Sequence, residues 1–320
     1  MKAIRIHNYG GPEVLEYEDA PRPEPQADEV LIRVHAAGVN PFDWKIRAGH
    51  LKDIFPVSFP LILGWDLSGV IEEVGSGATR FKKGDEVFGM PDPTRNGACA
   101  EYIVVRESEV ALKPKSLHHI RAAAIPLAAL TAWHALFNTA ALQPGQRVLI
   151  HGGAGGVGHF AVQLAKWKGA HVIATASPKN HELLYRLGAD EVIDYSTQRF
   201  ENVARDVDVV LDTIGGETQE RSWQVLKKGG ILASLVQPPS EEKAKARGVR
   251  GAMVANRPDG ANLSAIANII DSGKLAPVID RILPLSEARR AHDLSQSGHT
   301  HGKIALRVSN GNGTFERKQS

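Results

Sequence analysis

The sequence predicts an α/β protein in which an N-terminal all-β barrel is followed by a doubly wound parallel sheet. Up to about residue 113, short segments of strand character are separated by turn residues. From about residue 147, predicted strands alternate with predicted helices, which is typical of a parallel sheet with helices on both faces. Between these parts, residues 121–141 are rich in alanine and leucine and predict one or two helices, with Pro126 near the start.

Four segments carry the barrel prediction. They combine apolar alternation with turn residues on their flanks, and they are residues 29–35, 69–74, 86–88 and 100–105. Pro21, Pro23 and Pro25 have no backbone N–H to donate, so we expect a loop there rather than a strand.

A glycine-rich turn lies between the first predicted strand and helix of the second unit. Residues 148–151 form an apolar run, and residues 159–168 carry apolar side chains at helical spacing. Gly153, Gly155 and Gly158 fit the G-x-G-x-x-G pattern, whose glycines permit a tight turn and a close approach of the backbone to a pyrophosphate. Free N–H groups at a helix N-terminus attract phosphate. This turn therefore predicts a dinucleotide-binding unit.

The remaining predicted elements follow in chain order. Helices are predicted at residues 181–187, 219–226, 263–272 and 286–294, and strands at 171–175, 191–194, 207–212, 230–235, 278–283 and 302–308. Residues 238–250 are charged and lack clear periodicity, which predicts a mobile loop. The polar end of the chain, residues 310–320, is predicted to be a disordered tail.

Composition sets limits on function. The chain has 320 residues, 42% of them hydrophobic and 23% charged, which is ordinary for a globular protein. Its formal net charge of +2 gives no reason to expect a nucleic acid or a membrane surface as partner. One cysteine, Cys99, excludes an intramolecular disulfide and a thiolate zinc cluster. No run approaches the roughly 18 apolar residues of a membrane span, and the N-terminus lacks a signal-peptide pattern, so we expect a cytoplasmic protein.

Several motifs together resemble the medium-chain dehydrogenase/reductase superfamily, and within it the zinc-independent quinone oxidoreductases. The matching stretches are residues 10–15, 37–41, 64–75, 84–87, 130–132, 151–158 and 302–304. The resemblance implies a GroES-like β-barrel domain plus a Rossmann doubly wound parallel-sheet domain, NADPH in the cleft between them, and a homodimer. It divides the chain into a catalytic domain at residues 1–122, completed by 276–309, and an NADPH-binding domain at 123–275.

Departures from the zinc-dependent branch of that superfamily are informative. The resembling stretch of that branch has a cysteine where this chain has Asn40, and a histidine where it has Trp65. The four-cysteine structural zinc lobe is absent because Cys99 is the sole cysteine. We therefore expect no metal.

The sequence favours NADPH over NADH. An NAD-binding unit places Asp or Glu at the end of its second strand, where this chain has Ala176, and Ser177 and Lys179 can donate to a 2′-phosphate. The alternative is that these residues form a polar loop entering a helix. The glycine turn and the family resemblance extend the expected cofactor contacts to Thr131, Gly153, Ala154, Gly155, Gly156, Val157, Ser177, Lys179, Tyr195, Gly215, Val236 and Val254.

Hydride transfer without a metal needs hydrogen-bond donors that stabilise negative charge on the substrate oxygen. Asn40, Lys45 and His50 are the candidates, with Asp66 as a further catalytic residue. Three of them have an alternative: Lys45 as a surface lysine of a helix, Asp66 as a turn acid, and Asn40 as a strand-end residue bonded to backbone. Some quinone oxidoreductases carry a tyrosine near this position, where Trp44 stands here.

We expect an NADPH-dependent oxidoreductase that transfers a hydride to a quinone. A quinone suits a metal-free site because its reduction forms a stabilised hydroquinone anion. An α,β-unsaturated ketone or aldehyde is the alternative substrate, which needs a later proton at the α-carbon. An alternative of another class is an NADPH-binding sensor or scaffold protein with little turnover.

Overall fold

The structure, a computed structural model, describes residues 1–308, so the predicted tail at 310–320 lies outside the described residues. Eight strands form the N-terminal part. They are β1 (Lys2–Ile6), β2 (Glu16–Asp19), β3 (Glu29–Val39), β4 (Leu61–Ile62), β5 (Leu67–Val74), β6 (Glu86–Gly89), β7 (Tyr102–Arg106) and β8 (Val110–Leu112). Strand β3 is the centre of this part, because it pairs antiparallel with both β5 and β7. Strands β2, β1 and β4 form a separate small sheet.

Helix α1 (Pro41–Arg47) follows β3 directly. Its first turn is closed by Asp43, whose carboxyl group accepts from the backbone N of Asn40 at 2.8 Å, with proline in the first position. The end of β3 and the start of α1 therefore form one rigid corner.

Helices α2 (His119–Ala122) and α3 (Pro126–Trp133) lead out of the barrel, and α3 continues in a π-helical turn, His134–Thr139. By length and composition alone, the 21-residue run His119–Thr139 could cross a membrane, contrary to the expectation from the sequence. In the folded protein 72% of its most apolar stretch is buried. Its alanines and leucines form a core with the second domain, as in the central helix of a globular protein.

The second domain contains the predicted parallel sheet. Its strands are β9 (Arg147–Ile150), β10 (His171–Ala176), β11 (Glu191–Asp194), β12 (Val207–Asp212), β13 (Leu226–Ser234) and β14 (Arg250–Met253). The spatial order is β11-β10-β9-β12-β13-β14, and every neighbouring pair is parallel. This is the order of a doubly wound nucleotide-binding sheet, and its switch point lies between β9 and β12. Five helices connect consecutive strands of this sheet: α4 (Gly158–Trp167), α5 (His181–Arg186), α6 (Phe200–Val203), α7 (Gly216–Ser222) and α8 (Glu241–Arg247). A further helix, α9 (Gly260–Asp271), follows β14.

The predicted loop at residues 238–250 is wrong, because α8 occupies most of it. Ser240 accepts from the backbone N of Lys243 at the start of this helix, and Gly248 ends it with φ 64°. Ala244 is the one buried residue of the helix. A helix with so small a buried face shows no apolar periodicity in its sequence.

The chain finally returns to the barrel through β15 (Ile279–Pro284), α10 (Ala288–Gln296) and β16 (Lys303–Arg307). Strand β16 is parallel to β15 and antiparallel to β3, with Ile304 opposite Val39. The C-terminal strand thus enters the barrel next to the β3–α1 corner.

Candidate active site

The glycine turn contains two kinds of glycine. A side chain at Gly158 would meet the carbonyl oxygen of Gly152 at 2.2 Å, and one at Gly153 would meet the Cβ of Ala174 at 2.9 Å. These two glycines are therefore required by helix and strand packing. At Gly155 a Cβ would meet one backbone oxygen at 3.2 Å, and at Gly156 its nearest contacts are at 3.4 and 3.5 Å. Packing does not require these two glycines, but a pyrophosphate lying against the backbone would.

Two buried histidines, which the sequence analysis did not assign to the site, hold this turn. His151 contacts Thr175 Oγ1 at 3.3 Å and Ser222 Oγ at 2.9 Å, and burial lowers its pKa to about 4. His159 Nδ1 donates to the Gly155 carbonyl at 2.9 Å, and its Nε2 accepts from the backbone N of Val278 at 3.2 Å. Burial lowers the pKa of His159 to about 4 as well, so both rings are neutral near pH 7.

The residues predicted to contact a 2′-phosphate follow the end of β10. Ala176 is the last residue of the strand, and it is paired with Asp194 of β11. The Asp194 carboxylate is engaged locally, since it accepts from Ser196 N at 2.9 Å and from Thr197 Oγ1 at 2.7 Å. Beyond the strand ends, Lys179 is exposed and Tyr195 is 63% exposed. A lysine, with Ser177 beside it, is available to an anion here.

On the other side of the switch point, the predicted contacts follow the ends of β12, β13 and β14. Gly215 has φ 78°, and its N donates to Asp212 Oδ1 at 2.8 Å. Val236 N donates to Ser234 Oγ at 3.3 Å, and Val254 N donates to the Ser234 carbonyl at 2.9 Å. The buried Asp212 and Ser234 side chains bond to each other at 3.0 Å. These side chains hold Gly215 and Val236, and the Ser234 backbone holds Val254, at the same edge of the sheet as the glycine turn.

The barrel side of the cleft contains a buried network. Asn40 is 2% exposed, and its Nδ2 donates to Asp66 Oδ2 at 2.9 Å. Lys303 Nζ donates to Asp66 Oδ2 at 3.0 Å, to the Val39 carbonyl at 3.2 Å, and to Asn40 Oδ1. Asp66 Oδ1 accepts from the backbone N of Leu127 at 2.5 Å. Asn40 at the β3–α1 corner, Lys303 of β16 and Leu127 at the start of α3 thus meet at one carboxylate.

This network changes the predicted role of Asp66. Its side chain is 0% exposed, and both oxygens accept bonds from protein donors, so it is not free to contact a substrate. We assign it a positioning role instead of the catalytic one expected. Asn40 is also bonded at both ends of its amide. Lys303, 237 residues away from Asp66, was not among the predicted site residues, although it lies in the resembling stretch 302–304.

Lys45 and His50 lie nearer to solvent than this network. The Lys45 side chain is partly exposed, and its Nζ lies 5.8 Å from the ring centre of Trp44. His50 is exposed and packs edge-to-face on the same ring at 5.8 Å. Trp44 therefore lies between the two donors. Thr131, on α3, is 7% exposed and donates to the Leu127 carbonyl at 2.7 Å.

The two positions that resemble zinc ligands cannot form a zinc site. Trp65 is completely buried in the barrel core, where its ring lies 5.0 Å from that of Phe42, and Asn40 is bonded within the network. Cys99 is buried against Gly64, and burial raises the pKa of its thiol well above its usual range. Among residues 1–308, one group of three potential ligands occurs, on the outer surface of the barrel, formed by His7, Glu16 and Glu18.

Two family models match the chain. The model described as alcohol dehydrogenase GroES-like domain matches residues 26–115, and the one described as zinc-binding dehydrogenase matches residues 187–306. Among curated proteins, NAD(P)H oxidoreductase RTN4IP1, mitochondrial, of Danio rerio is 35% identical over 96% of this chain and 91% of its own length. The 2-methylene-furan-3-one reductase of Solanum lycopersicum is 38% identical over 96% of this chain and 79% of its own length.

Solved structures are similar to this chain over nearly its whole length. The quinone oxidoreductase from Coxiella burnetii superposes with a TM-score of 0.89 and 38% identity, over 97% of this chain and 99% of that one. The Escherichia coli quinone oxidoreductase complexed with NADPH has a TM-score of 0.86 and 28% identity, over 96% and 100% of the two chains. Since these matches span nearly the whole chain and the zinc-ligand positions are Asn40 and Trp65, the chain belongs to the zinc-independent quinone oxidoreductase branch of the medium-chain dehydrogenase/reductase superfamily.

Proposed function

We propose that this oxidoreductase transfers a hydride from NADPH to a quinone without zinc. One observation carries the proposal. Of the two positions that hold zinc in the zinc-dependent branch, Asn40 is buried in a hydrogen-bond network and Trp65 is buried in the barrel core. Lys45 is partly exposed and His50 is exposed. A substrate whose reduction needs only hydrogen-bond donors fits such a site better than an alcohol, which needs a strong Lewis acid or base.

The residues present fit NADPH. When bound, this cofactor supplies a hydride from its nicotinamide ring. The backbone at Gly155 and Gly156 leaves room for the pyrophosphate, and the start of α4 contributes its N–H groups. Ser177 and Lys179 would bind the 2′-phosphate, with Tyr195 beside it, and Gly215 would lie along the adenosine half. Thr131, Val236 and Val254 would face the nicotinamide half, with Ala154 and Val157 lining the turn.

On the substrate side, we assign different tasks to the predicted residues. Lys45 and His50 donate to the substrate oxygen that becomes negative, and a cationic lysine stabilises that charge more strongly than a neutral donor does. Asn40 and Asp66 fix the corner from which α1 extends. The quinone gains the hydride and a proton, and the product is the hydroquinone.

A second candidate is the reduction of an α,β-unsaturated ketone or aldehyde. It is supported by the tomato relative, whose name gives a furanone carrying an exocyclic double bond as its substrate. Such a reaction adds the hydride to the β-carbon and a proton to the α-carbon, and it builds an enolate oxygen in the same position as the quinone oxygen. The same two donors would serve both acceptors.

The experiment is a panel of acceptors with the purified protein, followed by loss of NADPH absorbance. We expect turnover with 1,4-quinones and weaker turnover with enones and enals. Faster reaction with enones would favour the second candidate. Tight NADPH binding without oxidation by any acceptor would support the third class, a sensor or scaffold protein.

The homodimer, the cytoplasmic location and the division at residues 122/123 and 275/276 remain predictions. The name of the zebrafish relative gives a mitochondrial location for that protein. Gel filtration with light scattering tests the dimer, and fractionation of the source cells tests the location.

A further inference from the structure

Lys303 contacts three parts of the cleft at once. Its aliphatic stem lies against the glycine turn, since a Cβ at Gly156 would be 3.5 Å from Lys303 Cδ. One residue earlier, Gly302 N donates to the Ala154 carbonyl at 2.9 Å. The ammonium group then reaches Asn40 and Asp66 on the barrel side. A single side chain therefore spans the distance between the cofactor turn and the β3–α1 corner.

The chemistry of the network fixes the orientation of Asn40. A lysine ammonium can only donate, so it faces Asn40 Oδ1, and a carboxylate can only accept, so it faces Asn40 Nδ2. Asn40 is also the residue at which α1 begins. Removing the ammonium would free the amide to rotate and would loosen the start of the helix.

Helix α1 carries the accessible donors. Lys45 lies within it and His50 follows its end, with the backbone N of His50 donating to the Lys45 carbonyl at 3.0 Å. The far end of α1 is held by Arg47, which is 1% exposed and donates to the Gly10 carbonyl at 3.2 Å and to Gln296 Oε1 at 2.9 Å. Asn40 holds the near end, so the position of the Lys45 ammonium relative to the glycine turn depends on both anchors.

We propose that Lys303 is a positioning residue for hydride transfer, which holds Asn40 and, through α1, places Lys45 at the substrate oxygen. This inference rests on the proposed function. Lys303 itself, at 2% exposure with three acceptors around its Nζ, does not contact the substrate. Its effect on the reaction is indirect and should be much smaller when Lys45 is absent.

The test is a double-mutant cycle on the single-turnover rate of NADPH oxidation by a 1,4-quinone, with Lys303→Met, Lys45→Met and the pair. A misplacement of about 1 Å costs about 10²-fold in rate, so Lys303→Met should slow the step by up to that factor while the NADPH dissociation constant stays nearly unchanged. In the Lys45→Met background, the further loss should be much smaller. Additive losses would overturn the proposal, because residues without coupling give additive effects.

Lys113→Met is the matched control. Lys113 is also a buried lysine, at 9% exposure, and it donates to the carbonyls of Pro114 and Leu117 outside the cleft. It should affect the rate little and show no coupling to Lys45. Lys303→Arg, which keeps a donor-only cation, should recover most of the rate. A Lys303→Arg rate as low as that of Lys303→Met would contradict the role given to the charge.

A second readout does not depend on turnover. Hydrogen exchange in the apoprotein should speed up in peptides covering residues 41–50 when Lys303 is replaced by methionine, and stay unchanged in the Lys113→Met control. If none of the acceptors supports NADPH oxidation by the unmodified protein, the proposed function fails. The exchange measurement still tests whether Lys303 anchors the start of α1. Unchanged exchange in residues 41–50 would overturn the inference even in an active enzyme.

Discussion

The Lys303 ammonium lies 3.0 Å from the Asp66 carboxylate, and both side chains are buried, at 2% and 0% exposure. A buried ion pair is costly to form, but removing one partner is costlier still because the other charge is then left unpaired. The pair joins β16 to the barrel, and Asp66 also accepts from the backbone N of Leu127 at the start of α3. One buried carboxylate of the barrel therefore binds both β16 and α3 at the place where chemistry is proposed.

We predict that the purified protein contains no stoichiometric zinc and keeps its activity in a strong chelator. The physical reason is the donor set, because Asn40 is bonded to Asp66 and Lys303, and Trp65 is buried. Elemental analysis together with activity before and after dialysis against chelator is the measurement. About one zinc per chain, with activity lost on its removal, would contradict the prediction.

Lys179→Ala should remove most of the preference for NADPH over NADH. One charge-assisted contact to a phosphate contributes about 1.5–3 kcal/mol, which is roughly ten- to a hundredfold in affinity. Fluorescence titration with both cofactors is the measurement. Lys228→Ala is the control, since Lys228 is an exposed lysine near the start of β13, away from the carboxyl ends of the strands. Equal dissociation constants for NADPH and NADH in the unmodified protein would refute the assignment of Ser177 and Lys179.

Gly155→Ala should fold normally and bind NADPH about tenfold or more weakly. Its added methyl would meet one protein oxygen at 3.2 Å but would occupy the space where we expect the pyrophosphate. The pyrophosphate would then lose at least one charge-assisted hydrogen bond to the backbone. Gly77→Ala, whose methyl would meet a backbone oxygen at 3.3 Å in the barrel, is the matched control. Thermal unfolding and NADPH titration of both variants make the comparison. Unchanged affinity in Gly155→Ala would mean that the turn does not hold the cofactor.

The free energy of unfolding should be greatest near pH 6.5. Burial lowers the pKa of His119, His151 and His159 to about 4 and that of His292 to about 3. The unfolded chain takes up these protons near pH 6.5, so their contribution is complete above that pH and is lost as the pH falls towards 4. Burial raises the pKa of Asp43 to about 8, so the native state keeps a proton there that the unfolded state releases near its ordinary value. The contribution of the protonated Asp43 to the free energy of unfolding is therefore lost as the pH rises towards 8.

Urea unfolding at pH 5, 6.5 and 8 measures this dependence. Asp43→Asn, a neutral analogue of the protonated acid, should remove the decline between pH 6.5 and 8 while leaving the acid-side loss in place. An unfolding free energy that keeps rising from pH 6.5 to 8 in the unmodified protein, and equally in Asp43→Asn, would contradict the assignment of a buried, protonated Asp43.

Much of this fold could be predicted because its signals are local. The strand, glycine turn and helix at residues 148–167 are adjacent in sequence, and the absence of an acid at Ala176 is readable directly. Helix α8 was missed because only Ala244 is buried, although its Ser240 cap and Gly248 stop are present in the sequence. The roles of Lys303 and His159 could not be predicted in this way, because Lys303 binds Asp66 237 residues away and His159 binds Val278 119 residues away. The strand at 302–308 and the resembling stretch 302–304 are readable in the sequence, but the contacts that Lys303 makes there are not.

Zinc-free hydride transfer is tested most directly by single-turnover oxidation of NADPH by a 1,4-quinone, using chelator-treated protein of measured zinc content, with NADPH and with NADPH deuterated at C4. Zinc-free protein should oxidise the cofactor in the presence of quinone, deuteration should slow the step, and Lys45→Met should slow it further. NADPH oxidation that requires added zinc, or the lack of any quinone-dependent oxidation by fully NADPH-bound protein, would contradict zinc-free hydride transfer.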